Sequence, residues 1–210
     1  MDICLGCQVN LPTQKEACYR CALPLHGIKD NMALCGGCLN NPPSYDHTVS
    51  VFRYDRPVDH LIHDLKFNRK LAVARLLGEL MAQQLKKQVQ TPPQIIIPVP
   101  LHPARLRERG YNQATELARP IAHALNIPID YQHCQRQRAT AAQSDLPASE
   151  RLRNVKGVFS VVRKLPVHHV AILDDVMTTG ATIAELATTL RKAGAEKIDV
   201  WVCARAALVL

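Results

Sequence analysis

The chain has 210 residues, 47% of them apolar, which suits one α/β domain of ordinary size with a small appendage. No run approaches the ~18 apolar residues that a membrane-spanning helix needs, and the start, MDICLGCQVN, lacks a signal peptide's basic and apolar regions, so a cytoplasmic protein without membrane insertion is expected. The net charge of +8 is uneven: residues 1–50 hold 3 basic and 4 acidic groups, and residues 51–210 hold 23 and 14, so the basic surface belongs to the later part.

Six of the eight cysteines fall in the first forty residues as three CxxC pairs: Cys4 with Cys7, Cys18 with Cys21, and Cys35 with Cys38. Two such turns from neighbouring hairpins place four thiolates tetrahedrally around zinc. The ion then supplies folding energy that a segment with few large apolar residues cannot draw from a core. Disulfides are the weaker reading, because nothing indicates export to an oxidising compartment. Three pairs are one too many for a single ion, and spacing alone leaves the choice open; Cys4 and Cys7 with Cys18 and Cys21 is one alternative, and His26 is either a ligand in a mixed site or, as a lone loop histidine more often is, solvated. Asn40, Asn41, Pro42, Pro43 and Ser44 then form a turn-rich linker, which divides the chain into a cysteine-rich module at 1–44 and an α/β part at 45–210.

Residues 48–54 read as a strand. Residues 60–85 hold one or two helices, with Leu61, Ile62 and Leu65, then Val73, Leu76, Leu77, Leu80 and Met81, on helical faces. Lys66 is either a cation facing the ligand cleft or a surface lysine whose stem lies on apolar neighbours. A second buried strand spans 95–99 and opens into a loop with Pro100, Leu101, His102, Arg105, Arg107 and Arg109. Guanidinium groups grip a multivalent anion through paired hydrogen bonds that lysine cannot copy; three alternating arginines are otherwise a solvated basic face. A helix follows over 115–125 with Leu117, Ile121 and Leu125 inward. Residues 136–156 surround Thr140, Gln143 and Ser144 with Arg136, Arg138, Arg151, Arg153 and Lys156 and read as a mobile flap or an ordinary surface loop. Residues 158–162 form another strand.

The most informative segment is VAILDDVMTTGAT at 170–182. Residues 170–173 read as a buried parallel strand with Asp174 and Asp175 where it emerges, the end at which open α/β sheets bind ligands. Two adjacent carboxylates are costly to bury unpaired, so both are expected to face solvent, a ribose or hydrated Mg²⁺. Thr178, Thr179, Gly180, Ala181 and Thr182 then offer N–H groups and hydroxyls ahead of a helix N-terminus, a cradle for a phosphate monoester. Thr182 and Glu185 make a capping-box pair, Ile183, Leu186, Ala187 and Leu190 follow helical spacing, and Arg191, Lys192 and Gly194 close the helix. Residues 198–204 form the last strand, with Cys203 as a small core residue; Cys203 and Cys134 stand apart from the paired cysteines. Strands alternating with helices argue for a doubly wound, mostly parallel sheet.

The segment ILDDVMTTGAT resembles the phosphoribosyl-pyrophosphate (PRPP) motif of type I phosphoribosyltransferases. With PVPLHPARLRERGYNQA at 98–114, RATAAQSDLPASERLRNVKGVF at 138–159 and the cysteine pairs, nearly the whole chain resembles the ComF/GntX branch. The resemblance implies a type I phosphoribosyltransferase-like fold with an N-terminal zinc ribbon. It implies that PRPP with Mg²⁺ is bound by Asp174, Asp175, Met177, Thr178, Thr179, Gly180, Ala181 and Thr182, the aspartates being the catalytic pair. It gives the pyrophosphate to Leu101, His102, Arg105, Arg107 and Arg109, and the flap to Arg136, Arg138, Arg151 and Arg153. Zinc is matched best by Cys18, Cys21, Cys35 and Cys38, with Cys4 and Cys7 as half of a second ribbon whose other half is absent.

As function, the resemblance implies a competence factor that binds PRPP and handles single-stranded DNA in the cytoplasm during natural transformation, with a competence helicase or DNA-processing proteins as further partners. With one Trp, five Tyr and three Phe, base stacking is a weak option and phosphate contacts are the expected mode on DNA. The alternative is an active phosphoribosyltransferase that moves the phosphoribosyl group from PRPP to an unidentified base or other acceptor. A sensor of PRPP is a third possibility.

Overall fold

The computed structural model describes residues 3–25, 27, 28, 30, 32–138 and 155–207. In chain order it contains α1 (Leu5–Val9), α2 (Gly36–Asn40), β1 (His47–Arg53), α3 (Val58–Phe67), α4 (Leu71–Gln88), β2 (Ile95–Pro98) and α5 (Pro103–Arg109). There follow α6 (Gln113–Leu125), β3 (Cys134–Arg136), β4 (Phe159–Val161), β5 (His169–Met177), α7 (Ala181–Lys192) and β6 (Lys197–Arg205).

The apolar, β-branched runs pair as one parallel sheet in the order β1-β6-β5-β2. In β5, Val170, Ala171, Ile172 and Leu173 are all fully buried, as a central strand covered on both faces requires. One face carries Val49, Val51, Leu173, Trp201 and Cys203 and packs on Ile62 and Leu65 of α3, Leu77, Met81 and Leu85 of α4, and Leu117 and Ile121 of α6. The other carries Ile97, Val170, Ile172, Val200 and Val202 and packs on Ile183, Leu186 and Leu190 of α7. Helices on both faces make this the doubly wound, parallel architecture expected. Among the described residues, no helix is long and apolar enough to cross a membrane.

Local differences from the sequence reading have identifiable causes. The 60–85 segment divides into α3 and α4 at a turn where Arg69 takes the left-handed conformation (φ 53°). Helix α6 starts at Gln113 because Asn112 caps it: its Oδ1 accepts the Ala114 N–H at 3.0 Å, and its Nδ2 donates to the Val99 carbonyl at 3.0 Å. The segment expected as a strand at 158–162 is β4, which pairs antiparallel with β3, unanticipated in the sequence, and stays outside the parallel sheet. The capping box does not form. A left-handed turn at Gly180 (φ 80°) starts α7 at Ala181, which leaves Thr182 inside the helix, and the Glu185 carboxylate accepts the Gly157 N–H at 2.7 Å instead.

The cysteine-rich segment is laid along the free edge of β1. Gln14 N–H donates to the Val51 carbonyl at 2.9 Å, Arg53 N–H to the Pro12 carbonyl at 2.8 Å, and Leu11 enters the sheet's core.

Candidate functional site

The aspartates do not follow the strand; they lie within it, because β5 continues to Met177 alongside β6. Alternation then separates them. Asp175 turns to the face of α3, is 3% exposed, and meets the Lys66 ammonium at 2.6 Å. The expectation that both carboxylates face solvent or ligand is thus wrong for Asp175: a cation from α3 reaches it, which makes burial tolerable. Burial alone would raise the Asp175 carboxyl and lower the Lys66 ammonium, but their mutual attraction and hydrogen bond outweigh it, holding Asp175 below the usual carboxylate range and Lys66 above the usual lysine value. Asp174 is half-buried and has the opposite character. Desolvation and the neighbouring Asp175 charge push it well above the ordinary value, so its proton is held more tightly than a solvated carboxylate's.

The loop after β5 presents Thr178 and Thr179, both half-buried, then Gly180 and the N-terminus of α7 with Ala181 and Thr182. Gly180 is needed here for its positive φ; a Cβ would also fall 2.6 Å from Met177 Cε and 3.5 Å from the Tyr45 hydroxyl. Thr179 Oγ1 accepts the Ala181 N–H at 3.4 Å.

The expected loop of arginines is a helix. In α5, capped by His102 through Nδ1 and the Ala104 N–H at 3.2 Å, Arg105 and Arg109 are four residues apart and share a face, while Arg107 points some 200° away from Arg105 and is exposed. Arg105 lies near Arg136 of β3, and Arg136 in turn near Asp174; burial, then Arg105, lowers the Arg136 pKa and Asp174 raises it. Arg109 is engaged elsewhere, with Nη1 2.5 Å from Gln113 Oε1 and its guanidinium 5.7 Å from the Phe67 ring centre. Leu101 is half-buried. Arg138 donates to the Lys156 carbonyl; Arg151 and Arg153, like Thr140, Gln143 and Ser144, lie outside the described residues. The fold therefore gathers Lys66, Arg105, Arg136, Asp174 and Asp175 with the 178–182 loop, while Arg107 lies on another face of α5 and Arg109 is engaged by Gln113 and Phe67. Two open surface cavities, of about 390 Å³ beside Ile127 and Tyr131 and about 610 Å³ beside Val161 and Lys192, contain none of these groups.

Of the three CxxC pairs, the structure joins the second and third. The Sγ atoms of Cys18, Cys21, Cys35 and Cys38 all lie within 4.8 Å of one another, with Cys21 and Cys35 at 3.6 Å. A tetrahedral site with Zn–S bonds of about 2.3 Å has sulfur edges of roughly 3.8 Å, so these four are positioned to hold a metal ion of that kind. Cys18 is set up as the first thiolate: burial resists its ionisation, yet N–H groups of Cys35, Cys21 and Arg20 outweigh that and bring it down to about 7. Burial, foremost, and the other thiols raise Cys21 to about 11 and push Cys38 higher still, a cost that a cation would remove. Cys4, which caps α1, and Cys7 within it are exposed and take no part in the cluster; His26 lies outside the described residues.

Two residues passed over in the sequence connect the centres. Tyr45, 3% exposed, is buried between the cysteines and Gly180. Arg205, the last residue of β6 and 2% exposed, donates from Nε to the Cys21 carbonyl at 2.9 Å and from Nη1 to the carbonyls of Met177 at 3.0 Å, Ala206 at 2.7 Å and Thr178. An arginine directly after the apolar run 200–204 of β6 is the signal in the sequence.

No protein-family model matches the chain. It is 39% identical over 209 residues to the DNA utilization protein YhgH of Salmonella typhi, covering 97% of this chain and 90% of that one. To competence protein F of Haemophilus influenzae (strain Rd) it is 36% identical over 211 residues, with the same coverage. Competence protein ComFC of Streptococcus pneumoniae (strain R6) is 25% identical over 157 residues, 72% of this chain and 65% of that one. Among solved structures, a glutamine PRPP amidotransferase from B. subtilis aligns at TM-score 0.41 and 21% identity over 61% of this chain and 25% of that one. A purine phosphoribosyltransferase from Pyrococcus horikoshii aligns at 0.36 and 19% over 61% and 79%.

Proposed function

The chain belongs to the ComF family of competence and DNA utilization proteins, and on that premise we propose that it binds PRPP with Mg²⁺ and acts in the cytoplasm on single-stranded DNA during DNA uptake. The observation that carries this reading is the meeting, at one end of the sheet, of a carboxylate held half-buried at Asp174, two guanidiniums at Arg105 and Arg136, and the N–H-rich loop opening α7. In this reading the loop residues Thr178, Thr179, Gly180, Ala181 and Thr182 receive the 5-phosphate at the positive end of the helix, and Arg105 and Arg136 face the pyrophosphate. Asp174 orients the ribose hydroxyls, and Asp175 acts from behind by fixing Lys66. A hard cation such as Mg²⁺ suits an Asp174 oxygen shared with ligand oxygens and would neutralise pyrophosphate charge there. Residues 1–44 form the zinc module and residues 45–210 the ligand-binding part. The excess of basic over acidic groups in residues 51–210 attracts the DNA backbone.

Calorimetric titration of PRPP and Mg²⁺ into wild type and the Asp174→Asn/Asp175→Asn variant tests the ligand; equal affinity removes the proposal. Single-stranded DNA binding is expected to weaken linearly in log-log form with salt, at about −0.7 per phosphate contacted. Absent or salt-independent binding removes the DNA half. The pairing of two guanidiniums where a leaving pyrophosphate would lie favours a second reading, transfer of the phosphoribosyl group to an acceptor, in which positioning and charge stabilisation are the protein's contribution. Pyrophosphate release with a panel of bases and other nucleophiles decides it, and none with any acceptor leaves the binding role alone.

A further inference from the structure

We infer that Arg205 is a positioning residue that makes the ligand loop answer to the four-cysteine centre, so that the anion site is competent only while that centre holds its metal. This rests on the reading of residues 178–182 as the ligand loop.

Four hydrogen bonds of the buried Arg205 guanidinium go to backbone carbonyls, and those carbonyls belong to two different places: Cys21 in the metal knuckle, and Met177, Thr178 and Ala206 where β5 and β6 end. The side chain is thus a brace between a metal-ligating turn and the first residue of the loop. In a trans peptide the carbonyl and the following N–H are antiparallel. Holding the Thr178 carbonyl against Arg205 therefore turns the Thr179 N–H away from it. The brace sets the donors that an anion would meet.

The same contacts supply no countercharge, and a buried cation held by carbonyls alone is costly. Four thiolates around a divalent ion carry a net negative charge, and Cys21 belongs to that cluster. Tyr45 stands in the same gap, close enough to feel Cys21, Cys38 and Arg205, with its hydroxyl 3.5 Å from the place a Gly180 Cβ would occupy. When the metal leaves, the Cys21 turn is no longer pinned by ligation, and Arg205 loses the fixed carbonyl on that side of its brace to the loop. The loop then has no fixed donor geometry.

The test compares wild type and Arg205→Lys, each with zinc and after zinc removal by a mercurial reagent, through PRPP–Mg²⁺ affinity and hydrogen exchange at residues 178–182. Lysine keeps the charge and loses the fork that spans the two sites. Zinc-loaded wild type is expected to bind, and to lose at least tenfold in affinity when stripped. Zinc-loaded Arg205→Lys is expected to retain its zinc, its Trp201 fluorescence and its circular dichroism, yet to bind as weakly as stripped wild type and to gain little from zinc. Exchange at residues 178–182 should rise in stripped wild type and in Arg205→Lys. Unchanged affinity and exchange in Arg205→Lys, or in stripped protein that remains folded, overturns the inference. If stripping unfolds the chain, the zinc-loaded Arg205→Lys variant decides. If zinc-loaded wild type fails to bind PRPP, the ligand reading falls by itself, and the exchange measurements still decide whether Arg205 couples the two centres.

Discussion

Replacing Lys66 with Met removes the cation that makes burial of Asp175 tolerable while keeping the length and apolar stem of the side chain. Asp175 is 4% exposed at its side chain and Lys66 24%, with the two groups 2.6 Å apart. Removing one partner of such a pair leaves an uncompensated charge and costs about 3–5 kcal/mol. For a chain of this size, each kcal/mol moves Tm by about 2–4 °C, so a fall of about 6–20 °C is expected at pH 7.5 with zinc in excess. The sign with pH follows from the shifts. In wild type the Asp175 carboxyl is depressed, so its stabilisation is present above the unfolded value of 3.8 and is lost only as pH falls through the lower folded value. In Lys66→Met the carboxyl is buried without a partner and its pKa rises, so the penalty is relieved as pH falls. The gap between the two proteins should therefore narrow from pH 7.5 to 5.5. A second variant, Lys66→Met/Asp175→Asn, should recover most of the loss, because no buried charge remains. Differential scanning calorimetry of the three proteins measures this. A Lys66→Met Tm within 2 °C of wild type, or a deficit that does not shrink on acidification, would refute the account of the pair.

Asp174→Asn should behave oppositely. Its folded pKa is raised, so its contribution to stability is present below 3.8 and lost as pH rises; the variant should melt higher than wild type at pH 7.5, with the gap closing toward acid, while losing PRPP–Mg²⁺ binding in calorimetry. Gly180→Ala forces a side chain into a left-handed backbone at about 1–2 kcal/mol and should lower both Tm and PRPP affinity. Gly78→Ala, remote from the site, places a methyl 2.3 Å from Pro120 Cγ and 2.8 Å from the Leu117 carbonyl where α4 crosses α6. Overpacking of about 1–3 kcal/mol should appear in urea unfolding with ligand affinity unchanged. Cys38→Ser should abolish the stoichiometric zinc measured by atomic absorption, whereas Cys4→Ser should leave it intact, because Cys4 stands outside the cluster.

Much of this protein was legible along the chain. The strands at 95–98 and 170–173 announce themselves through consecutive β-branched and apolar residues, and the helices over 71–88 and 181–192 through apolar spacing, because periodicity is a local property that tertiary packing only had to accept. The turn after β5 was readable for the same reason: a glycine at a strand-to-helix junction supplies the left-handed turn that opens α7. Spacing also marked the paired cysteines as candidates to hold a metal ion, and the fold brings two of the three pairs together. Spacing could not say which pairs meet, since that depends on how two turns separated by fourteen residues fold back on each other.

Other features were decided only by the tertiary structure. Two adjacent aspartates look equivalent in sequence, yet strand alternation sends Asp175 to Lys66, 109 positions away, and leaves Asp174 beside Arg136. Three alternating arginines look equivalent, yet a helical turn puts Arg105 and Arg109 on one face and Arg107 on another. Arg205 is a lone charge at the end of an apolar run until the fold sets the cysteine turn on one side of it and the loop after β5 on the other. The sequence by itself determined which chemistry the chain carries, because that resides in residue types and local order. The tertiary structure decided which groups act together, because contact, burial and the charge states they impose arise between residues far apart along the chain.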